Sequence, residues 1–413
     1  MCYTVKVEKK DSPAAVRNAV ALCAVGAEKI VSNEIKKLGL TVLESGFGRV
    51  RFQSDIAGLY KALIALRAAD RLLLEAGFFP AAGFDALFDG TLAVPWESLV
   101  PARLGLKVGK VRVNRSQLKA QASIQSMVHK AAAQRLCRTA GLERLPDTGS
   151  AAEVRVYVEK DTVSLLLDLS GQPLFKRGYR LEGGAAPLRE TTAAAMLLLA
   201  GWKRKYPLYD PFCGSGTILA EALIYAWDMP PGLGRRFAIR DLCIADDSVE
   251  QAVREELRGR VNFQRTIRIA GSDTDAAAVK LAASNLARAH GLVKKQLPAD
   301  GTNAPEKAGT LPELQTLSLN EARPPFDGGD TKPGEPRGFI VTNPPYGKRL
   351  GDRQESERIY AGMAALARNF PGWKLAVITD HPGFESFFGR KADSCREVQS
   401  GPVPAFFFQY EKL

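Results

Sequence analysis

Asp210-Pro211-Phe212-Cys213-Gly214-Ser215-Gly216-Thr217 joins an apolar run, 206–209, to a run of helical spacing, 217–226. Strand, glycine-bearing loop and helix form the opening unit of a parallel sheet with crossover helices. In such sheets ligands bind beyond the carboxyl ends of the strands. Asp210, at the strand end, can accept hydrogen bonds from a cationic amine. Gly214 and Gly216 let a ligand approach the backbone, and Thr217 can cap the helix. No Gly-Lys pair followed by Ser or Thr occurs here, which argues against a phosphate-cradling P-loop.

Downstream the alternation continues. Strand candidates lie at 266–271, 315–319, 339–342, 374–379 and 404–410, and helices at 248–258, 275–290 and 355–368. Asp273, behind the apolar run 267–272, is placed to accept from ribose hydroxyls. It can equally cap the helix that begins near Asp275, and the two uses are compatible. Its separation from the glycines exceeds the usual ~20 residues, and an extra helix-bearing segment, 225–264, accounts for the excess.

Asn343-Pro344-Pro345-Tyr346-Gly347 follows the next strand, Gly338–Thr342. Neither proline has a backbone N–H, so this turn is rich in acceptors on a backbone of fixed φ. A carbonyl beside the Asn343 side-chain oxygen suits a group with two hydrogens to donate, such as a nucleobase exocyclic amine. Tyr346 adds a flat face for stacking. Alone, the stretch fits a plain turn as well as an active site. Behind the Asp210–Thr217 loop, the active-site reading prevails.

The 413 residues, 46% hydrophobic and 25% charged, are those of an ordinary soluble protein of two or three domains. A net charge of +12 and a pI near 9.4 favour a polyanionic partner. Six scattered cysteines form no C-x-x-C pair, and His129, His290 and His381 lie far from them. That argues against a structural metal and for a reducing, cytoplasmic setting. Thr4–Lys10 lacks signal-peptide character, and the apolar run 193–200 is too short to span a membrane.

The first half reads as α+β. Apolar 19–25, helical 26–38, strands at 41–43 and 50–52 around a glycine turn, and a helix capped by Asp55 make a small sandwich. In Leu106–Arg115 the period is two. Lys110, Arg112 and Asn114 share one face, and Val111 and Val113 the other. Arg115 follows directly, and Lys119 opens a helix to about Thr139, with Lys130, Arg135 and Arg138 turned outward. This cationic strand and helix could track a phosphate backbone, or be a solvated face. Strands at 153–158 and 162–169 close the unit. Glycines and clustered charge from Ser170 to Ala186 mark a linker, and Pro187 opens the next helix.

The joint occurrence of Asp210–Thr217 and Asn343–Tyr346 resembles a class I S-adenosylmethionine-dependent methyltransferase acting on an exocyclic amine. More narrowly, Lys176-Arg177-Gly178-Tyr179-Arg180, Ala186–Glu190, Gly271–Asp275, Val341–Gly351, Phe370–Trp373 and Phe388–Lys391 are similar to the bacterial THUMP-domain RNA guanine-N2 methyltransferases of the 23S ribosomal RNA type. That resemblance implies a ferredoxin-like α+β domain over 1–80, a THUMP RNA-binding domain over 81–170 and a linker over 171–187. A Rossmann-like α/β methyltransferase domain with a mostly parallel sheet would fill 188–413. It implies S-adenosylmethionine held by Asp210, Phe212, Gly214, Gly216 and Thr217, with Asp273 at the ribose. The adenine contact falls to Asn320, where the family carries an acid, or to the neighbouring Glu321.

Asn343 and the Pro344 carbonyl would hold the amine, Pro345 would fix the loop and Tyr346 would stack the base. Lys110, Arg112, Arg115 and Lys119 would hold RNA. No metal is implied. Alternatives are a tRNA guanine-N2 or N6-adenine methyltransferase, or a non-catalytic RNA-binding or ribosome-assembly protein on the same fold.

Overall fold

The computed structural model describes residues 15–147, 149–180, 188–262, 265–295, 311–326, 332–346, 350–400 and 403–413. Thr4–Lys10, Gly183-Gly184, Ala186-Pro187, Gly347 and the stretches 296–310 and 327–331, rich in Pro, Gly, Asp and Lys, lie outside these residues.

The first half runs β1 (Arg17–Cys23), α1 (Glu28–Lys37), β2 (Thr41–Gly46), β3 (Arg49–Ser54), α2 (Ile56–Ala65), β4 (Ala69–Pro80), α3 (Phe84–Ala93), β5 (Gly105–Asn114), α4 (Gln121–Ala140), β6 (Ala151–Glu159) and β7 (Thr162–Asp168). Local chemistry sets the boundaries. The Asp55 carboxylate accepts the Gly58 N–H at 2.8 Å to start α2, and Gly141, left-handed at φ 66°, ends α4. These strands form one seven-stranded sheet, β2-β3-β1-β4-β7-β6-β5. The twelve-residue β4 joins the two expected N-terminal units, pairing with β1 on one side and β7 on the other.

Alternation decides which face is covered. Ala19, Ala21, Phe52, Leu72 and Leu74 pack with α1, α2 and α4 in the main core. Val20, Leu73 and Leu166 form only a small cluster on the opposite face, with Leu22 and Tyr157 against it. One face is therefore core, and the other carries a thin apolar floor.

The second half runs α5 (Glu190–Leu199), β8 (Leu208–Asp210), α6 (Thr217–Ala226), α7 (Asp247–Arg258), β9 (Ile269–Asp273), α8 (Ala276–Lys294), β10 (Glu313–Thr316), β11 (Phe339–Thr342), α9 (Leu350–Gly362), α10 (Ala364–Asn369), β12 (Lys374–Thr379), α11 (Phe384–Phe388), β13 (Ser394–Ser400) and β14 (Val403–Tyr410). The sheet order is β10-β9-β8-β11-β12-β14-β13, or 3-2-1-4-5-7-6 in the order of its own strands. β8, β9, β10, β11 and β12 are parallel, and β14 returns antiparallel between β12 and β13. From β8 the chain winds outward through β9 and β10, then comes back to β11 on β8's other side. That reversal is the topological switch point where open α/β sheets bind ligands. Asp210 ends β8, and Asn343 directly follows β11.

The extra segment after α6 packs on the N-terminal half. The Gly232 N–H donates to the Ile64 carbonyl at 2.9 Å, the Ile239 N–H to Leu169 at 3.1 Å, and Lys61 pairs with Glu256 at 2.7 Å. Gly26 abuts β13 so closely that a Cβ there would lie 2.3 Å from the Glu397 carbonyl.

Several expectations need adjusting. The helix expected at 355–368 is two helices, α9 and α10. The strand expected at 315–319 lies at Glu313–Thr316, and Leu317 leads into a turn. Arg135 is not free for a ligand, because its guanidinium grips both oxygens of Glu97 at 3.0 and 2.6 Å.

Candidate active site

The switch point holds a hollow of about 440 Å³, within the usual range of ligand pockets (~300–1,000 Å³). Asp210, Phe212, Gly214 and Thr217 line one side, Asn343 another, and Asp275 the entrance to α8. Asp210 is 1% exposed. It accepts the Thr342 hydroxyl at 2.6 Å and the Phe212 N–H at 3.1 Å. Burial pushes its carboxyl up to about 7, with a further push from the Asp273 charge, against the downward pull of those two donors. Among the described residues no Lys or Arg pairs with it. A buried acid of this kind asks for a cation from a ligand.

The other expected residues divide. Gly214 lines the hollow, whereas Gly216 serves packing: at φ 75° it caps α6, and a Cβ would meet the Ala282 Cβ of α8 at 3.0 Å. Asp273 stands at the β9 end and accepts the N–H of Gly214 at 3.0 Å and that of Asp275 at 3.0 Å. It ties the two loops together, and it is not itself on the hollow's wall. The cap of α8 is Asp275, accepting the Ala277 N–H at 2.8 Å, and not Asp273. Neither Asn320 nor Glu321 lines the hollow. The Asn320 carbonyl takes the Arg323 guanidinium at 2.8 Å, and the Glu321 carboxylate takes the Ser318 hydroxyl and N–H at 2.7 and 3.1 Å.

In the turn, Pro344 is buried and Pro345 exposed. The Tyr346 hydroxyl donates to Asn343 Oδ1, and burial raises its pKa further above the ordinary phenol value. The Pro345 carbonyl accepts the Tyr360 hydroxyl at 3.1 Å. Sequence reading missed Thr342, Asp275 and Leu188 as parts of this site. All three lie in stretches that carry the family resemblance, and Asp275 also marks the start of the α8 pattern, but none of them showed a role of its own.

A groove of about 900 Å³ opens on the thinly covered face of the N-terminal sheet. Arg49, Arg71, Lys110, Arg112, Arg155 and Arg189 line it against two acids, Asp70 and Glu159. Partial desolvation, then the charges of Arg112 and Arg155, hold the Lys110 ammonium pKa below its ordinary value. Arg115 and Lys119 are exposed and lie off this groove. Arg189 lines the groove while its neighbour Leu188 lines the hollow, so residues next to each other before α5 belong to the two cavities.

A 3-2-1-4-5-7-6 sheet with an acidic strand end, a glycine loop and an Asn-Pro-Pro-Tyr turn at its switch point defines a class I methyltransferase. The chain matches the family model "RMKL-like, methyltransferase domain" over residues 177–300 and 330–406, and "RlmL ferredoxin-like domain" over 18–73. It is 31% identical over 393 residues to the putative RNA methyltransferase YpsC of Bacillus subtilis (strain 168), covering 95% of each chain. The chain belongs to this RlmL-like methyltransferase family.

Among solved structures, the putative methyltransferase SMU.472, complexed with SAH, superposes with a TM-score of 0.82 at 31% identity, over 96% of this chain and 98% of that one. A predicted N6-adenine-specific DNA methylase from Listeria monocytogenes str. 4b F2365 gives 0.82 at 32% identity, over 96% of each. The cofactor is S-adenosylmethionine. The hollow fits it: an unpaired buried acid for the amino group of its methionyl part, and a glycine-lined wall beside it.

Proposed function

We propose that the chain methylates the exocyclic N2 amine of a guanosine in RNA, with 23S ribosomal RNA as the substrate. The observation that carries the amine reading is Asn343 on the wall of the hollow, its Oδ1 already accepting a hydroxyl from Tyr346. Among the described residues no donor meets the Pro344 carbonyl. A guanine amine offers two hydrogens, and these two acceptors would take one each as the Tyr346 hydroxyl gives way. Held so, the nitrogen lone pair leaves conjugation with the ring and turns into the hollow. Bound S-adenosylmethionine supplies an electrophilic methyl group on its sulfonium sulfur. The amine is strongly acidic once methylated and charged, and it loses its proton to water without a dedicated base. Tyr346 then presents its ring to a base unstacked from its RNA context. Asp210, Phe212, Gly214 and Thr217 hold the cofactor, with Asp273 at its ribose and the Asn320–Glu321 turn nearest its adenine.

RNA as the substrate is supported by the name of the Bacillus relative and by the groove lined by Lys110, Arg112 and Arg189. In this reading residues 1–80 and 81–170 are the ferredoxin-like and THUMP units of a cytoplasmic RNA-binding half. Residues 171–187 are the linker and 188–413 the catalytic domain. Lys110 and Arg112 grip phosphates from the groove, and Arg115 and Lys119 from outside it. An N6-adenine target is the second reading, favoured by the description of the Listeria structure.

Nucleoside mass spectrometry of ribosomal RNA, transfer RNA and DNA from a deletion strain separates these readings. Loss of N2-methylguanosine from 23S RNA supports the proposal, and loss of N6-methyladenosine replaces it.

A further inference from the structure

Tyr360, on α9, is fully buried, and its hydroxyl donates to the Pro345 carbonyl at 3.1 Å. A carbonyl can only accept, so the single phenolic proton is committed to the turn. The same oxygen lies 2.9 Å from the Thr379 hydroxyl at the end of β12, which must therefore be the donor in that contact. Thr379 Oγ1 in turn accepts the His381 N–H at 3.1 Å. His381 is itself fixed: its Nδ1 accepts the Gly383 N–H at 3.0 Å, which leaves Nε2 as the N–H that donates to Glu357 of α9 at 3.2 Å. The ring of Tyr360 is held edge-on between His381 and Phe384. The proton directions form one line: His381 N–H to Thr379, Thr379 to Tyr360, Tyr360 to Pro345.

We infer that Tyr360 is a positioning residue for methyl transfer, clamping the second proline of the Asn343–Tyr346 turn through a relay from β12 and α9. The turn needs such a clamp. At its near end Thr342 is tied to Asp210, which anchors the turn to the cofactor loop. Beyond Asn343 the two prolines contribute no N–H with which the backbone could anchor itself. Tyr360 supplies the missing donor from outside and sets how far the Pro344 carbonyl and Asn343 Oδ1 stand from the hollow. Aim at this scale matters, because a displacement of about 1 Å costs up to about a hundredfold in rate.

This inference rests on the turn being the seat of transfer. It is tested with Tyr360→Phe beside Asn343→Ala in one assay, following labelled methyl transfer from S-adenosylmethionine to RNA from a deletion strain. Tyr360→Phe keeps the buried ring and removes only the hydroxyl. The expected result is a kcat lower by about tenfold or more with KM for the cofactor unchanged, and faster amide hydrogen exchange over 339–346. Thr379→Val is expected to follow it in part, and Thr379→Ser to restore the rate. Wild-type kcat in Tyr360→Phe while Asn343→Ala is inactive overturns the clamp alone. Full activity in Asn343→Ala overturns the seat itself. Equal losses in kcat and cofactor affinity, or no change in exchange, reduce Tyr360 to packing and also overturn the clamp.

Discussion

β11 of the C-terminal sheet is buried at all four residues, Phe339 to Thr342. β5 of the N-terminal sheet alternates buried Val108 and Val111 with exposed Lys110 and Arg112. Both sheets have seven strands, but they use their surfaces differently. The parallel sheet is covered on both faces, so chemistry is left to the strand ends, where Asp210 and Asn343 meet across the switch point. The N-terminal sheet covers one face with helices and leaves the other lined by cations. A strand end presents a few groups at fixed distances, which suits one reacting atom. An open face presents repeated charges across several strands, which suits a long polyanion.

If that division holds, damage at the strand ends should stop chemistry, and damage on the face should weaken only capture. The largest effect is expected from Asn343→Ala. The rate should fall by about a hundred- to a thousandfold, the scale of losing one aimed acceptor, with cofactor affinity by calorimetry unchanged. Near-normal turnover would break the contrast at its centre.

Asp210→Asn comes next and separates binding from folding. The Asp210 carboxyl sits at about 7 in the folded chain against an ordinary 3.8. Its cost to the fold is absent below 3.8, grows as pH rises and is complete above about 7. Replacement by Asn should therefore raise the melting temperature of the cofactor-free protein at pH 8 by roughly 5 °C and leave it unchanged at pH 4. The same variant should bind S-adenosylmethionine about ten- to a hundredfold more weakly at pH 8, having lost the charge. In the wild type, affinity should decline as pH drops below about 7. A melting shift that is largest at low pH would contradict the assignment.

The same contrast explains how much the sequence disclosed. β11 was legible to the residue, because a strand buried on both faces is a continuous apolar run between a glycine and a turn. β13, with Arg396 and Glu397 in its middle, passed unnoticed: at the sheet edge its polarity looks like a loop. The fusion of the two N-terminal units through β4 depends on pairing with β7, almost a hundred residues on, which no local pattern encodes. At the site, Asp210 and Asn343 were readable because each lies in a local motif with its own chemistry. The Thr342–Asp210 bond spans 132 residues and the Tyr360–Pro345 bond joins a helix to a turn, so both waited for the fold. On the cationic side, periodicity located Lys110 and Arg112 on one face of β5. It could not show that Arg135, outward on its helix, is already held by Glu97.

The smallest expected effect tests the open face. Lys110 and Arg112 line the groove and, among the described residues, no acidic side chain forms an ion pair with either, so neither charge is spoken for within the fold. Each is exposed, so reversing it should leave the core intact. Lys110→Glu with Arg112→Glu should weaken binding of RNA by about tenfold at 0.1 M salt and lower the slope of log affinity against log salt by about 1.4, two single-strand phosphate contacts at ~0.7 each. Turnover at saturating RNA should stay near wild type, because the hollow and turn are untouched. A fall in saturated turnover would mean that the groove also aims the substrate, and the two sheets would then share one task. An unchanged salt slope would make this strand an ordinary solvated edge. In that case the polyanion would be held elsewhere along the groove, with Arg189, next in the chain to Leu188 of the hollow, the next position to reverse.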